Sequence, residues 1–349
     1  MVDVNYYNKY PVSLIPYYSK RCKRKNMRVS DDILRFVVFI GTCVNGNFTP
    51  LGTGFLIYKK DHGEVFQHLV TARHVIEGIS LDEIFVRINL TSGVTGLVPF
   101  KKSDWRFHQS SFERQFIDVA VAPCNMPADS VAVTNISLED SMLTPETIQD
   151  EDIGIGDEVH VVGLYTNHFG QDKNIPIVRI GNIASMPTDE PFQTQHGYIN
   201  GYLIEAHSLG GSSGSPVFVG LPPSRAIEGK IKLSKQAWYL LGLMCGHWTA
   251  ENPEDAVAEN ANDRGTARIN TGISIVIPVQ HIFEVINGPE LTAEREKIMK
   301  EHRAKIAKNF SFDSAKPPTS PDANSSLTGD QIFSNMLNRP PKPRTGEKK

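Results

Sequence analysis

Serine is a weak nucleophile. It becomes a useful one only beside a base and beneath backbone N–H groups that can hold the oxyanion it generates. The run Leu209-Gly210-Gly211-Ser212-Ser213-Gly214-Ser215-Pro216-Val217 meets part of that demand. Gly211, two residues before Ser213, and Gly214, directly after it, free the backbone to turn tightly and expose a hydroxyl. Neither Ser212 nor Ser215 has glycine at both offsets, which singles out Ser213. Alone, a Gly/Ser turn ahead of a strand is more often only a turn.

A base is offered by Leu69-Val70-Thr71-Ala72-Arg73-His74-Val75-Ile76, where His74 follows an apolar strand directly. Imidazole takes and returns a proton near neutral pH, and a strand end can hold it rigidly. A single histidine there would more often be structural. Phe116-Ile117-Asp118-Val119-Ala120-Val121-Ala122 puts a carboxylate at the head of an apolar run. Burying it is costly without a partner, and the far nitrogen of an imidazole is such a partner. An Asp that merely ends a turn before a strand is equally common in isolation.

The elements that must position these groups are β-rich. About eleven runs of four to twelve residues lie between positions 33 and 286, among them ILRFVVFIGTCV, GTGFLIYK, IDVAVAPC, EVHVVGLY, SPVFVG and ISIVIPV. Each is rich in Val, Ile and Phe and bounded by Gly, Pro, Asn or Asp, with little helical periodicity between them. The fold class expected is all-β: two sequential six-stranded antiparallel barrels, a C-terminal helix and a disordered tail. The expected organisation is a flexible basic arm over 1–30, a first barrel over 31–140 carrying His74 and Asp118, and a second over 141–288 carrying Ser213. A solvated helix over 289–310 and a disordered tail over 311–349 follow. An active site in the cleft between two barrels needs that division of the three residues. Their order, His, Asp, Ser, is the chymotrypsin-type order and differs from the subtilisin and α/β-hydrolase orders.

TARHV, DVAV and GSSGSPVF together resemble the signatures of trypsin-like (chymotrypsin-fold) serine proteases, over residues 35 to 286. The nearest likeness is to bacterial and organellar enzymes of the high-temperature-requirement kind, through GTGFLI, GDEVHVVGLY, VRIGNIAS and NTGISIVIPV. The resemblance implies an endopeptidase that forms an acyl-enzyme at Ser213, with an oxyanion hole from the Gly211 and Ser213 N–H groups. It also implies a specificity pocket involving His207, Ser208, Cys245, Gly246 and His247. An acidic-or-amide preference through the two histidines and a small apolar pocket both remain open. Two departures stand out: Ser215 replaces a glycine, and the polar residues after position 288 are not expected to form a PDZ module. A catalytically silent, peptide-binding relative of such enzymes is the alternative.

Composition excludes little else. Lys and Arg number 36 against 39 Asp and Glu, a formal charge of −3, so no global charge points to nucleic acid or membrane. The basic run Lys20–Arg28 reads as a solvated arm. Cys22, Cys43, Cys124 and Cys245 are scattered, without zinc spacing, so no metal and no cofactor are expected. The N-terminal 30 residues lack the order of a secretory signal, and the expected location is cytoplasmic. The expected partner is a peptide or protein substrate, and oligomeric state is not legible.

Overall fold

The computed structural model describes residues 31–109, 116–127, 129–194, 197–206, 211–227, 230–250 and 269–313. Its first strand set comprises β1 (Val37–Val44), β2 (Asn47–Asp61), β3 (Glu64–Thr71), β4 (Glu83–Asn89), β5 (Thr95–Lys101), β6 (Arg106–Phe107), β7 (Ala120–Cys124) and β8 (Ile136–Ser137). The ladder runs β5-β4-β1-β2-β3-β7-β6, with β8 parallel to β2. Among the described residues no ladder joins β5 to β6, so this set is an open eight-stranded sheet. Pro99 lacks a donor and suits β5 to an edge, and β6 is only two residues long. The turn at His62-Gly63, with φ of 48° and 86°, is the two-residue kind that sets hairpin register. It fixes the pairing of β2 with β3, and thereby where Thr71 ends.

Between the strand sets lie two short helices, α2 (Leu138–Ser141) and α3 (Pro145–Glu151); α1 (Arg73–Glu77) precedes them, directly after β3. Ser137 and Thr144 cap α2 and α3, each accepting a backbone N–H with its hydroxyl.

The second set comprises β9 (Glu158–Gly163), β10 (Ile177–Ser185), β11 (Phe192–Thr194), β12 (Gly197–Ile199), β13 (Tyr202–Glu205), β14 (Pro216–Gly220), β15 (Ser224–Ile227), β16 (Lys230–Leu233), β17 (Trp238–Ala250) and β18 (Ile269–Pro278). Six of these close a barrel in the order β10-β13-β18-β17-β14-β9, while β11–β12 and β15–β16 are separate hairpins. Central strands are buried continuously rather than alternately. Phe55, Leu56 and Ile57 in β2 and Val217, Phe218 and Val219 in β14 are at most 1% exposed, so both faces of these strands are covered.

Helix α4 (Val279–Ile286) follows β18 and buries Val279, Ile282, Val285 and Ile286, one face of a helical repeat. Helix α5 (Pro289–Asp313) begins on a proline, where the missing N–H has no helical partner to lose. Residues 1–295 form one compact unit holding both strand sets, and 296–349 form another, whose described part is the remainder of α5. No helix among the described residues is long and apolar enough to cross a membrane. The basic arm and nearly all of the expected tail lie outside the described residues.

Candidate active site

Strand pairing brings the first two groups together. β3 and β7 are antiparallel with Thr71 opposite Ala120. Continuing two residues past Thr71 on one side, and two before Ala120 on the other, sets 73 and 118 abreast. Asp118 stands at the apex of a three-residue turn closed by Val119 N–H donating to the Ile117 carbonyl at 2.9 Å. Its carboxylate, 0% exposed, then receives two bonds from one residue. The His74 backbone N–H donates to Oδ1 at 2.9 Å, and Nδ1 lies 2.6 Å from Oδ2. Holding Nδ1–H toward the carboxylate leaves Nε2 as the basic nitrogen. Bonds to a charged acceptor contribute about 1.5–3 kcal/mol each, which offsets the several kcal/mol an unpaired buried carboxylate would cost. The His74 side chain stays 27% exposed, so the pair is closed on the aspartate side and open on the imidazole side.

Arg73 braces this arrangement from behind. Its guanidinium stacks over Phe107 and Phe116, at 5.1 and 5.5 Å from the ring centroids, and pairs with Glu77 at 2.8 Å. Gly52 in the GTGF run makes room for α1: a Cβ there would come within 2.7 Å of Val75 and 3.3 Å of the Ser213 carbonyl.

Ser213 is delivered by the other strand set. β14 pairs with β17, and the ladder continues through Gly214 N–H to the Met244 carbonyl and Met244 N–H to the Ser215 carbonyl, both at 2.8 Å. The Ser213 hydroxyl donates to the Cys245 carbonyl at 3.3 Å. Cys245 also closes the loop to the first set, since its thiol, the Asp118 carboxylate and a His74 ring nitrogen lie within 4.8 Å of one another. Burial first, then the Asp118 charge and hydrogen bond, hold this thiol well above its usual range, so it remains a neutral S–H.

The turn itself depends on two left-handed glycines. Gly211 has φ +93°, and a Cβ there would lie 2.7 Å from Leu164. Gly214 has φ +81°, and its Cβ would lie 2.2 Å from the Thr53 carbonyl oxygen. Thr53, fully buried in β2, ties the turn to both sets. Its N–H donates to the Ser213 carbonyl at 2.9 Å, its hydroxyl donates to the Gly211 carbonyl at 2.9 Å, and that hydroxyl accepts from Leu164 N–H at 2.9 Å. Among the described residues, the Gly211 and Ser213 N–H groups make no hydrogen bond. Two unengaged backbone donors flanking a serine are a suitable receptor for an oxyanion.

Ser215, which replaces the glycine expected by resemblance, is accommodated by a reciprocal exchange. Its side chain is completely buried against Gly163, where a Cβ would fall 1.9 Å from the Ser215 oxygen. That hydroxyl has no hydrogen-bond partner among the described residues. Thr53, Gly163 and the thiol of Cys245 were not singled out for these roles in the sequence. GTGF and GDEVHVVG carry the first two as motif members, but nothing local says what they touch.

The pocket residues are only partly visible. His207 and Ser208 lie outside the described residues, as does the side chain of His247, although its backbone pairs with Ser274 in β17–β18. Cys245 is buried, and a Cβ on Gly246 would meet nothing within 4 Å among the described residues. Glu205 is exposed at the end of β13.

No protein-family model matches the chain, and no curated protein does. Solved structures similar to it include the Rv3671c protease of M. tuberculosis in its active form, at 16% identity and a TM-score of 0.40, covering 73% of this chain and 80% of that one. Another is the HtrA-type protease AlgW with a decapeptide, at 15% identity and a TM-score of 0.40, covering 72% of this chain and 63% of that one.

Proposed function

We propose that the chain is a serine endopeptidase of the trypsin-like kind. The observation that carries this reading is the buried Asp118 carboxylate bonded to two His74 nitrogens, backbone and Nδ1, beside a serine turn with two N–H donors unengaged among the described residues. In the reaction, Ser213 Oγ attacks the peptide carbonyl carbon while His74 Nε2 takes its proton. The carbonyl oxygen becomes an oxyanion held by the Gly211 and Ser213 N–H groups, an interaction whose loss typically costs 10²–10³ in kcat. His74 returns the proton to the leaving amine as the C–N bond breaks, giving the acyl-enzyme. Water, deprotonated by the same imidazole, then releases the acid. Asp118 keeps its charge throughout and stabilises the imidazolium.

A fluorophosphonate probe tests this on the full chain. Wild type should be labelled and should cleave peptides. Ser213→Ala should lose both while keeping its melting temperature, because a partly exposed hydroxyl contributes little packing. A folded wild type that neither labels nor cleaves would leave a peptide-binding role in place of an enzyme.

A further inference from the structure

Outside the cleft, the unit of residues 1–295 contains a cavity of about 1020 Å³ lined in part by Arg73, Trp105, His108, Ile117, His281 and Glu284. Three of its lining side chains converge. His108 follows β6, and His281 and Glu284 lie one helical turn apart on α4, an H-x-x-E spacing that puts both on one face. One carboxylate oxygen, Glu284 Oε2, is 2.7 Å from His108 Nε2 and 2.8 Å from His281 Nδ1. All three ligand-capable atoms lie within 4.8 Å of one another, and the two rings meet edge to face at 5.0 Å.

We propose that His108, His281 and Glu284 form a binding site for zinc or a similar borderline transition-metal dication. Two imidazole nitrogens and one carboxylate oxygen are the donor set of three-ligand zinc sites, whose fourth position is left to water. The cavity supplies room for that water. Nitrogen donors disfavour calcium and magnesium, which take oxygen shells.

The two nitrogen–oxygen spacings require little change. Bonds of 2.0–2.2 Å at tetrahedral angles put donor atoms about 3.3 Å apart, so each nitrogen would retreat from Glu284 by about half an ångström. Protonation is also suitable. Burial lowers the pKa of His281, keeping it neutral and able to ligate. Burial alone would raise the Glu284 carboxyl, but the hydrogen bonds from His281 and His108 outweigh it and hold it below its usual range.

The cavity's two arginines are already engaged. Arg106 pairs with Glu290 at 2.9 Å and with Glu294, and Arg73 pairs with Glu77, so neither cation stands uncompensated against a dication. The site is not legible in the sequence because His108 and His281 sit on distant elements, without the close ligand spacing by which zinc motifs are read. A metal here would clamp α4 to the end of β6, one residue layer behind His74 and Asp118, since Arg73 and Ile117 line the same cavity.

The test uses the full chain, stripped with EDTA and titrated with Co²⁺ and then Zn²⁺. One equivalent of Co²⁺ should produce the visible absorption of four- or five-coordinate cobalt without a thiolate charge-transfer band. Zn²⁺ should abolish that signal and raise the melting temperature. Glu284→Gln and His281→Gln should each weaken binding by more than the roughly 10–100-fold that loss of an outer-shell partner causes. Glu284→Gln keeps an amide oxygen to accept both ring N–H bonds, so its metal-free melting temperature should match wild type and the variant remains decisive if another misfolds. Absence of saturable cobalt binding, or binding unchanged in Glu284→Gln, overturns the proposal. So does a thiolate band that disappears in Cys245→Ser, which would put the metal beside His74 and Asp118 instead.

Discussion

Thr53→Val removes one hydroxyl from the point where the two strand sets hold the serine turn, and it changes side-chain shape very little. The lost oxygen donates to the Gly211 carbonyl and accepts from Leu164 N–H, both at 2.9 Å. Two such bonds contribute about 1 kcal/mol each. A buried N–H left without a partner adds about 1–3 kcal/mol, so the loss in unfolding free energy should be roughly 3–5 kcal/mol. The catalytic effect follows from geometry rather than stability. The Gly211 carbonyl is pinned by Thr53, and with the pin gone the loop loses the restraint that holds the Gly211 N–H where the proposed mechanism puts the oxyanion. Loss of one such donor corresponds to about 10²–10³ in kcat. Urea denaturation gives the first quantity, and steady-state cleavage of a peptide substrate, with kcat and KM separated, gives the second. KM should move little, because the donor acts mainly in the transition state. Thr53→Ser, which keeps the hydroxyl, should restore kcat. If a folded Thr53→Val enzyme retains kcat within a few-fold of wild type, the oxyanion-hole assignment of Gly211 is wrong.

Ser215→Ala should raise stability by roughly 1 kcal/mol in urea denaturation, since it deletes a buried hydroxyl with no partner among the described residues; a clear loss would mean that the hydroxyl is bonded after all. Gly214→Ala should abolish activity and destabilise the unit, because its Cβ would sit 2.2 Å from the Thr53 oxygen at φ +81°; near-normal turnover would contradict the turn geometry. His68 carries a pH signature: burial, then the Arg295 and Lys59 charges, lower its pKa from 6.5 to about 4. The unfolded chain therefore binds more protons between those values. Its contribution, complete above pH 6.5, should be lost as pH falls to about 4, a change of roughly 3 kcal/mol. Urea midpoints across that window should flatten in His68→Gln relative to wild type, and parallel curves would refute the assignment.

The parts of this site legible in the sequence are those whose chemistry is written within a few neighbours. Ser213 is marked by Gly211 and Gly214, whose left-handed φ values show why those glycines stand there. His74 and Asp118 are marked by the strands that end or begin beside them, and β3–β7 pairing turns that proximity to strand ends into contact. What depends on distant pairing was not legible. Nothing near Cys245 announces that its carbonyl accepts the Ser213 hydroxyl while its thiol faces Asp118. Ser215 and Gly163 exchange a side chain for a hydrogen atom across two strands, and each looks ordinary in its own motif. Helices α1 to α4 span only four to eight residues, too short for a 3.6-residue period to appear against strand-like composition. The open first sheet likewise reflects which edges meet, a property of the closed chain rather than of any one run.

The cleft also ties the stability of the two strand sets to each other. Asp118 belongs to the first set and is fully buried, yet one of the groups close against it, the Cys245 thiol, comes from the second. In return, the turn of the second set is held by Thr53 of the first, through its N–H and its hydroxyl. Removing either side would leave a buried polar group exposed to a poorer partner, the carboxylate in one case and the Gly211 and Ser213 carbonyls in the other. Such reciprocal dependence makes the serine turn and the His74–Asp118 pair parts of one cooperative structure. Substitutions in this cleft should therefore lower activity and the unfolding free energy together wherever they cross between sets, as at Thr53. They should lower activity alone where they do not, as at Ser213.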